Sequence, residues 1–271
     1  MMKSSKCYVG LSLIISSLLV CCATVPVTGR RQLVVIPSST MLSMSFQQYD
    51  EFLKSNKLSN NKEQIELVSR VGSRIQKAVE QYFAEENMSD ALKNYDWEFN
   101  LVESPQVNAW CMSGGKVVVY TGILPITQDE AGLAVVMGHE VAHAVAKHGN
   151  ERLSQSIATQ MGGMALAIAL QEKPEKTRQL WMSAFGIGTQ FGVILPYSRL
   201  HESEADHLGL IFMAMAGYNP HNAVGFWERM AEMKGGKAPP EFVSTHPSDK
   251  TRIRKIKASL PAAMQYYKKS K

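Results

Sequence analysis

His139-Glu140-Val141-Ala142-His143 sets two imidazoles four residues apart with a carboxylate beside the first. On a helix that offset puts both rings on one face, where neutral ring nitrogens can hold one Zn²⁺ at about 2.0–2.1 Å. Glu140 then stands next to the metal without binding it. That makes Glu140 the candidate general base, placed to take a proton from water held at the ion. A metal that works on a substrate needs a third protein ligand and keeps one position open. Glu202 and Asp206 are four residues apart and share a helix face. Glu202 can therefore bind the ion while Asp206 accepts a hydrogen bond from the outer nitrogen of a ligand histidine. Glu204 lies about 200° from Glu202 around the same helix and is expected in a structural ion pair. His201 and His207 also carry ligand atoms, but neither has a carboxylate at the helical offset that would orient it. A purely structural zinc site is disfavoured, because such sites usually close with cysteine and the body of the chain has only Cys111. Flanked by Trp110 and Met112, that thiol is expected to be a buried structural group, and no internal disulfide is expected.

These side chains need rigid carriers. Thr127 and Glu130 have capping-box spacing ahead of an apolar helix over 131–148, with Gly149 as its stop. The carboxylates sit on a second helix over 199–215, ended by Gly217 and Pro220. Ile65, Val68, Gly72, Ile75, Val79 and Tyr82 mark the apolar face of a helix over 62–84. Trp97, Phe99 and Leu101 alternate with their neighbours, and Lys116 to Tyr120 follows Gly114-Gly115, so both read as strands. Two apolar stretches, 159–170 and 180–195, are too short to span a bilayer comfortably. They read as a helical hairpin beside the cleft, with a membrane-facing lid as the other reading.

The 271 residues are 45% hydrophobic and 20% charged, which excludes a disordered, collagen-like or polytopic membrane chain. A net charge of +5, two of it from Lys3 and Lys6, does not argue for nucleic acid. Eight Lys or Arg and no acid follow from Lys250 onward, which reads as a solvated helix face. Lys3 and Lys6 precede a short apolar run over 8–20, the pattern of a secretory leader. Its end, Leu19-Val20-Cys21-Cys22-Ala23, resembles a bacterial lipobox with Cys22 as the acylated residue, although Cys21 replaces the usual Gly, Ala or Ser. An uncleaved signal anchor is the alternative. Residues 23–37 lack periodicity and are expected to be a tether. The expected division is a signal peptide over 1–21, a tether and lead-in over 22–60, and one domain over 61–271 that carries the two-histidine and carboxylate helices.

His139-Glu-x-x-His143 and Glu202-x-x-x-Asp206 occur here together with Asn108-Ala109-Trp110, Gly114-Gly115-Lys-Val-Val-Val-Tyr120 and Ser244-Thr245-His246-Pro247-Ser248. In this combination the chain resembles the HtpX-like and CAAX-prenyl-protease-like gluzincin metallopeptidases over about 62–260, in their bacterial lipoprotein branch. The resemblance implies an α+β fold, a mainly helical zincin core with a small mixed sheet whose edge strand flanks the active-site helix. It also implies one Zn²⁺ per chain and gives Asn108 and Ala109 a role in pairing with the extended backbone of a polypeptide substrate. His246 either donates to the oxyanion or coordinates the open zinc position. The expected enzyme is a lipid-anchored endopeptidase of the bacterial envelope, an outer-membrane lipoprotein facing the periplasm that cuts misfolded or mis-assembled envelope proteins. Its competitor is a largely latent, chaperone-like lipoprotein that holds clients at the cleft.

Overall fold

The computed structural model describes residues 22–25, 28–233 and 249–269. Two short strands, β1 (Cys22–Thr24) and β2 (Arg31–Leu33), lead to helices α1 (Ser38–Ser55) and α2 (Lys62–Glu85). Strands β3 (Glu98–Val102), β4 (Ala109–Met112) and β5 (Lys116–Tyr120) follow, and then a single turn, α3 (Leu124–Thr127). The chain continues as α4 (Glu130–Val145), α5 (His148–Ala169), α6 (Glu175–Thr189), α7 (Leu195–Met215), α8 (Asn222–Met233) and α9 (Asp249–Lys269).

Val117, Val118 and Val119 offer water no polar face, and β5 is accordingly the middle strand, fully buried. It pairs parallel with β3 and antiparallel with β4, so the sheet is mixed and β4 is one of its edges. Gly114 and Gly115, with φ of +93° and +85°, make the turn between β4 and β5. The periodic face of α2 packs as its spacing predicts, with Val68, Ile75 and Val79 buried, whereas Ile65 stays 37% exposed in the first turn.

Helix α4 is apolar nearly all round, and it runs through the middle of the molecule against α7, β4, α2 and α8. Its ends differ from expectation. Asp129, not Thr127, caps the start by accepting the Gly132 N–H at 2.8 Å, while the Thr127 hydroxyl turns back to Leu124 O. At the other end the chain breaks at Lys147, in the left-handed region with φ of 59°, and a new helix begins at once with His148. Gly149 therefore lies inside α5.

The expected hairpin is present and longer than 159–195. It is formed by α5 and α6, and a π turn over Gln190–Ile194 joins α6 directly to α7. Only the first two turns of α5 are buried, and α6 has no buried residue. No helix among the described residues is long and apolar enough to cross a membrane. The stretch expected to be a tether is in part folded. β1 and β2 form an antiparallel hairpin, and Val25 between them is fully buried in the main core.

Candidate active site

Helices α4 and α7 meet at two glycines. A Cβ on Gly209 would lie 2.8 Å from the backbone nitrogen of His139, and one on Gly138 would lie 2.9 Å from the carbonyl oxygen of Gly209. The missing side chains let the two backbones touch, and this contact brings His139 and His143 of α4 up to Glu202 and Asp206 of α7. All four are buried.

The two Nε2 atoms lie 3.1 Å apart. Glu202 Oε2 is 3.5 Å from the His139 nitrogen, and its Oε1 is 3.4 Å from that of His143. Three ligands bound tetrahedrally at about 2.0–2.1 Å would stand about 3.3–3.4 Å apart, so this donor set fits a Zn²⁺-sized ion. It is also the one group of three or more metal-ligating side chains found among the described residues. Asp206 Oδ1 lies 3.0 Å from His139 Nδ1, where it can accept the outer ring proton.

Electrostatics follow from burial and from these contacts. Burial and the neighbouring Arg252 charge oppose protonation of His139, but hydrogen bonds to Asp206 and Glu202 outweigh them and lift it to about 9. Burial pushes His143 down to about 3, which favours the neutral ring that a metal ligand requires. For Asp206, burial is outweighed by Arg252 and His139, and the carboxyl is held below the usual range. Burial raises Glu140 above the ordinary carboxylate value.

Glu140 opens into a cleft of about 350 Å³ walled by β4 on one side and by Phe226, Trp227 and Met230 of α8 on the other. Asn108 and Ala109 line the same cleft at the start of the edge strand. Cys111 also lines it, half-buried where the sequence predicts a buried thiol, and burial together with Glu140 pushes the thiol well above its ordinary value. Glu204 points away from the metal group to His148 and Arg30, the ion pair expected of it. His246 lies outside the described residues.

The sequence reading missed Arg252. It sits in α9 with its guanidinium 3.4 Å above the Trp227 ring, 2.6 Å from Asp206 and 3.3 Å from Glu202. It is therefore not part of a solvated basic face. The signal was there: Arg252, Ile256, Leu260 and Ala263 are spaced by four, four and three, so an arginine interrupts an otherwise apolar stripe. Buried His148, His201 and Glu151, with half-buried Arg30, form a second polar group behind His143; of these the sequence offered only His201, and only as a competing ligand.

The family model for peptidase family M48 matches residues 69–260, which include every residue of this site. The chain belongs to peptidase family M48. Among relatives, the mitochondrial metalloendopeptidase OMA1 of Schizosaccharomyces pombe is 42% identical over 198 residues, 72% of this chain and 53% of that protein. The human mitochondrial metalloendopeptidase OMA1 is 27% identical over 248 residues, 89% of this chain and 46% of that protein. A putative beta-barrel assembly-enhancing protease of Vibrio cholerae is 31% identical over 163 residues, 57% of this chain and 33% of that protein. This M48 chain thus spans about half the length of the relatives it matches over most of its own, and a third of the bacterial one.

The comparisons correct one expectation. Placement as a bacterial outer-membrane lipoprotein facing the periplasm is overturned, because the stronger similarity runs to proteins named as mitochondrial, in organisms from fission yeast to human. A few charges before a short apolar run is a loose pattern, met by more than one kind of targeting leader. Lipidation of Cys22 rests on the Leu19–Ala23 pattern alone, which these similarities do not test.

Proposed function

We propose that this M48 chain is a zinc-dependent endopeptidase that binds an extended stretch of polypeptide along β4 and hydrolyses one peptide bond above the His139, His143 and Glu202 group. The observation that carries this reading is the convergence of those three donors, 3.1 to 3.5 Å apart, at the floor of a cleft whose wall is a sheet edge. Zinc, when bound, would acidify water and polarise the scissile carbonyl. The chain's own residues do the rest. Asn108 and Ala109 offer backbone groups to the substrate strand, fixing the bond's height over the site. Glu140 takes the proton of the attacking water on a carboxylate oxygen and returns it to the leaving amine. Asp206 holds His139 by its Nδ1 proton, so that Nε2 faces the ion. His246 completes the proposal as either a donor to the developing oxyanion or a ligand at the open position. The two roles separate on His246→Ala: losing a donor costs about 10²–10³ in kcat, whereas losing a blocking ligand raises activity.

Substrate breadth follows from the same geometry, since backbone pairing at an edge favours any unfolded segment over a defined sequence. The test is cleavage of unfolded casein by the purified protein before and after removal of metal with a chelator. Loss of cleavage on chelation and its return with added zinc support the reading. Cleavage that persists in metal-free protein, or casein that is bound but never cut when zinc is restored, contradicts it.

A further inference from the structure

An imidazole that binds a metal through one nitrogen needs a partner on the other to fix its tautomer and its angle. For His139 that partner is Asp206. For His143 it is another histidine: His148 Nδ1 lies 2.8 Å from His143 Nδ1. Two histidines can face each other productively only if one donates and the other accepts. His143 must donate, because its Nε2 lone pair belongs to the metal, so His148 must accept at Nδ1 and carry its proton on Nε2. Glu204 imposes that choice. Its Oε2 lies 3.0 Å from His148 Nε2, and a carboxylate can only accept there.

Glu204 is itself buried and needs a counter-charge. Arg30 supplies it, from a stretch of chain more than a hundred residues earlier. Its Nε donates to Glu204 Oε2 at 3.0 Å, and its two terminal nitrogens donate to the two oxygens of Glu151 at 3.0 and 2.7 Å. The Thr28 hydroxyl donates to the remaining oxygen of Glu204. Glu151 in turn holds His201 at 2.8 Å, and His201 stacks on His148 with ring centroids 4.3 Å apart, so the His148 ring is fixed in its plane as well as at both nitrogens. Buried Val25, and its two backbone hydrogen bonds with Gly29 and Arg30, hold the hairpin that presents Arg30 in place.

We propose that the β1–β2 hairpin is part of the metal site, with Arg30 a positioning residue that sets the orientation of His143 through Glu204 and His148. The inference rests on the metal reading of His139, His143 and Glu202. Lysine cannot replace Arg30, since three donors in one planar fork serve two carboxylates here.

The test uses the full chain and metal alone. Zinc affinity is measured by chelator competition, and the visible absorption of the Co²⁺-loaded protein reports ligand geometry independently of activity. In Arg30→Met the zinc Kd is expected to rise about 10–100-fold, with an altered cobalt spectrum at saturation. Arg31→Met, its exposed neighbour on β2, should match wild type in both. Arg30→Lys should resemble Arg30→Met. Should Arg30→Met fail to fold, Thr28→Val, which orphans no charge, is expected to shift zinc affinity and cobalt spectrum in the same direction by less. Wild-type affinity and spectrum in folded Arg30→Met overturn the proposal. If that variant does not fold, the same result in Thr28→Val overturns it. Failure of the wild-type chain to take up either ion overturns the metal reading itself, and this inference with it.

Discussion

Glu202 and Glu204 are two residues apart on α7 and serve opposite sides of it, one at the histidine pair and one at His148. Glu202→Ala should leave the protein without bound zinc, whereas Asp206→Ala should weaken binding about 10–100-fold, both read by metal content and chelator competition. Loss of zinc in Glu204→Ala with retention in Glu202→Ala would reverse the assignment. At this scale the sequence was informative wherever an offset of four on a helix implied a shared face: His139 with His143, and Glu202 with Asp206. It was uninformative where partners come from distant segments. Nothing near Arg252 announces Trp227 or Asp206, and nothing near Arg30 announces Glu151. Such pairs become visible only as a charged residue on an apolar stripe, and that signal does not name the partner.

The helices position these side chains through the contact between Gly138 and Gly209. Gly209→Ala places a methyl group 2.8 Å from the His139 backbone nitrogen, which a flexible side chain cannot relieve. The helices must separate. Urea unfolding should show a loss of about 1–3 kcal/mol, and zinc affinity should fall with it because His139 moves away from Glu202. An unchanged zinc Kd in a folded Gly209→Ala would mean that the crossing does not set the site. The apolar run of α4, the periodic face of α2 and the Lys116–Tyr120 strand were legible because burial writes itself into spacing. The caps were not: Asp129 and Thr127 are both capping residue types two positions apart, and only the chain path after α3 decides between them. The α5–α6 arm was legible as helix, but not in its exposure. Leu180 is 69% and Met161 61% exposed, although both are apolar types that usually signal core.

Across the whole molecule, one buried charge group ties the N-terminal hairpin to α5 and α7. Burial would raise Glu151 and Glu204, but hydrogen bonds from His201 and Arg30, and from His148 and Thr28, hold both at about 2, against an ordinary 4.5. Carboxyls lowered in the folded state contribute stability that is complete above the unfolded value, about 4.5, and is lost as pH falls towards 2. The urea midpoint should therefore decline over that window, and in Glu151→Gln the decline should be shallower. Equal acid slopes in the two proteins would remove the group from the account of stability. The metal group is proposed as hydrolytic, with Glu140 as its base and not a ligand. This is tested most directly by measuring zinc content and casein cleavage together in wild type and Glu140→Gln. About one zinc per chain is expected in both, with cleavage lowered about 10²–10⁴-fold or more in the variant. A folded Glu140→Gln that has lost its zinc, or one that keeps its zinc and cuts casein at the wild-type rate, would contradict it.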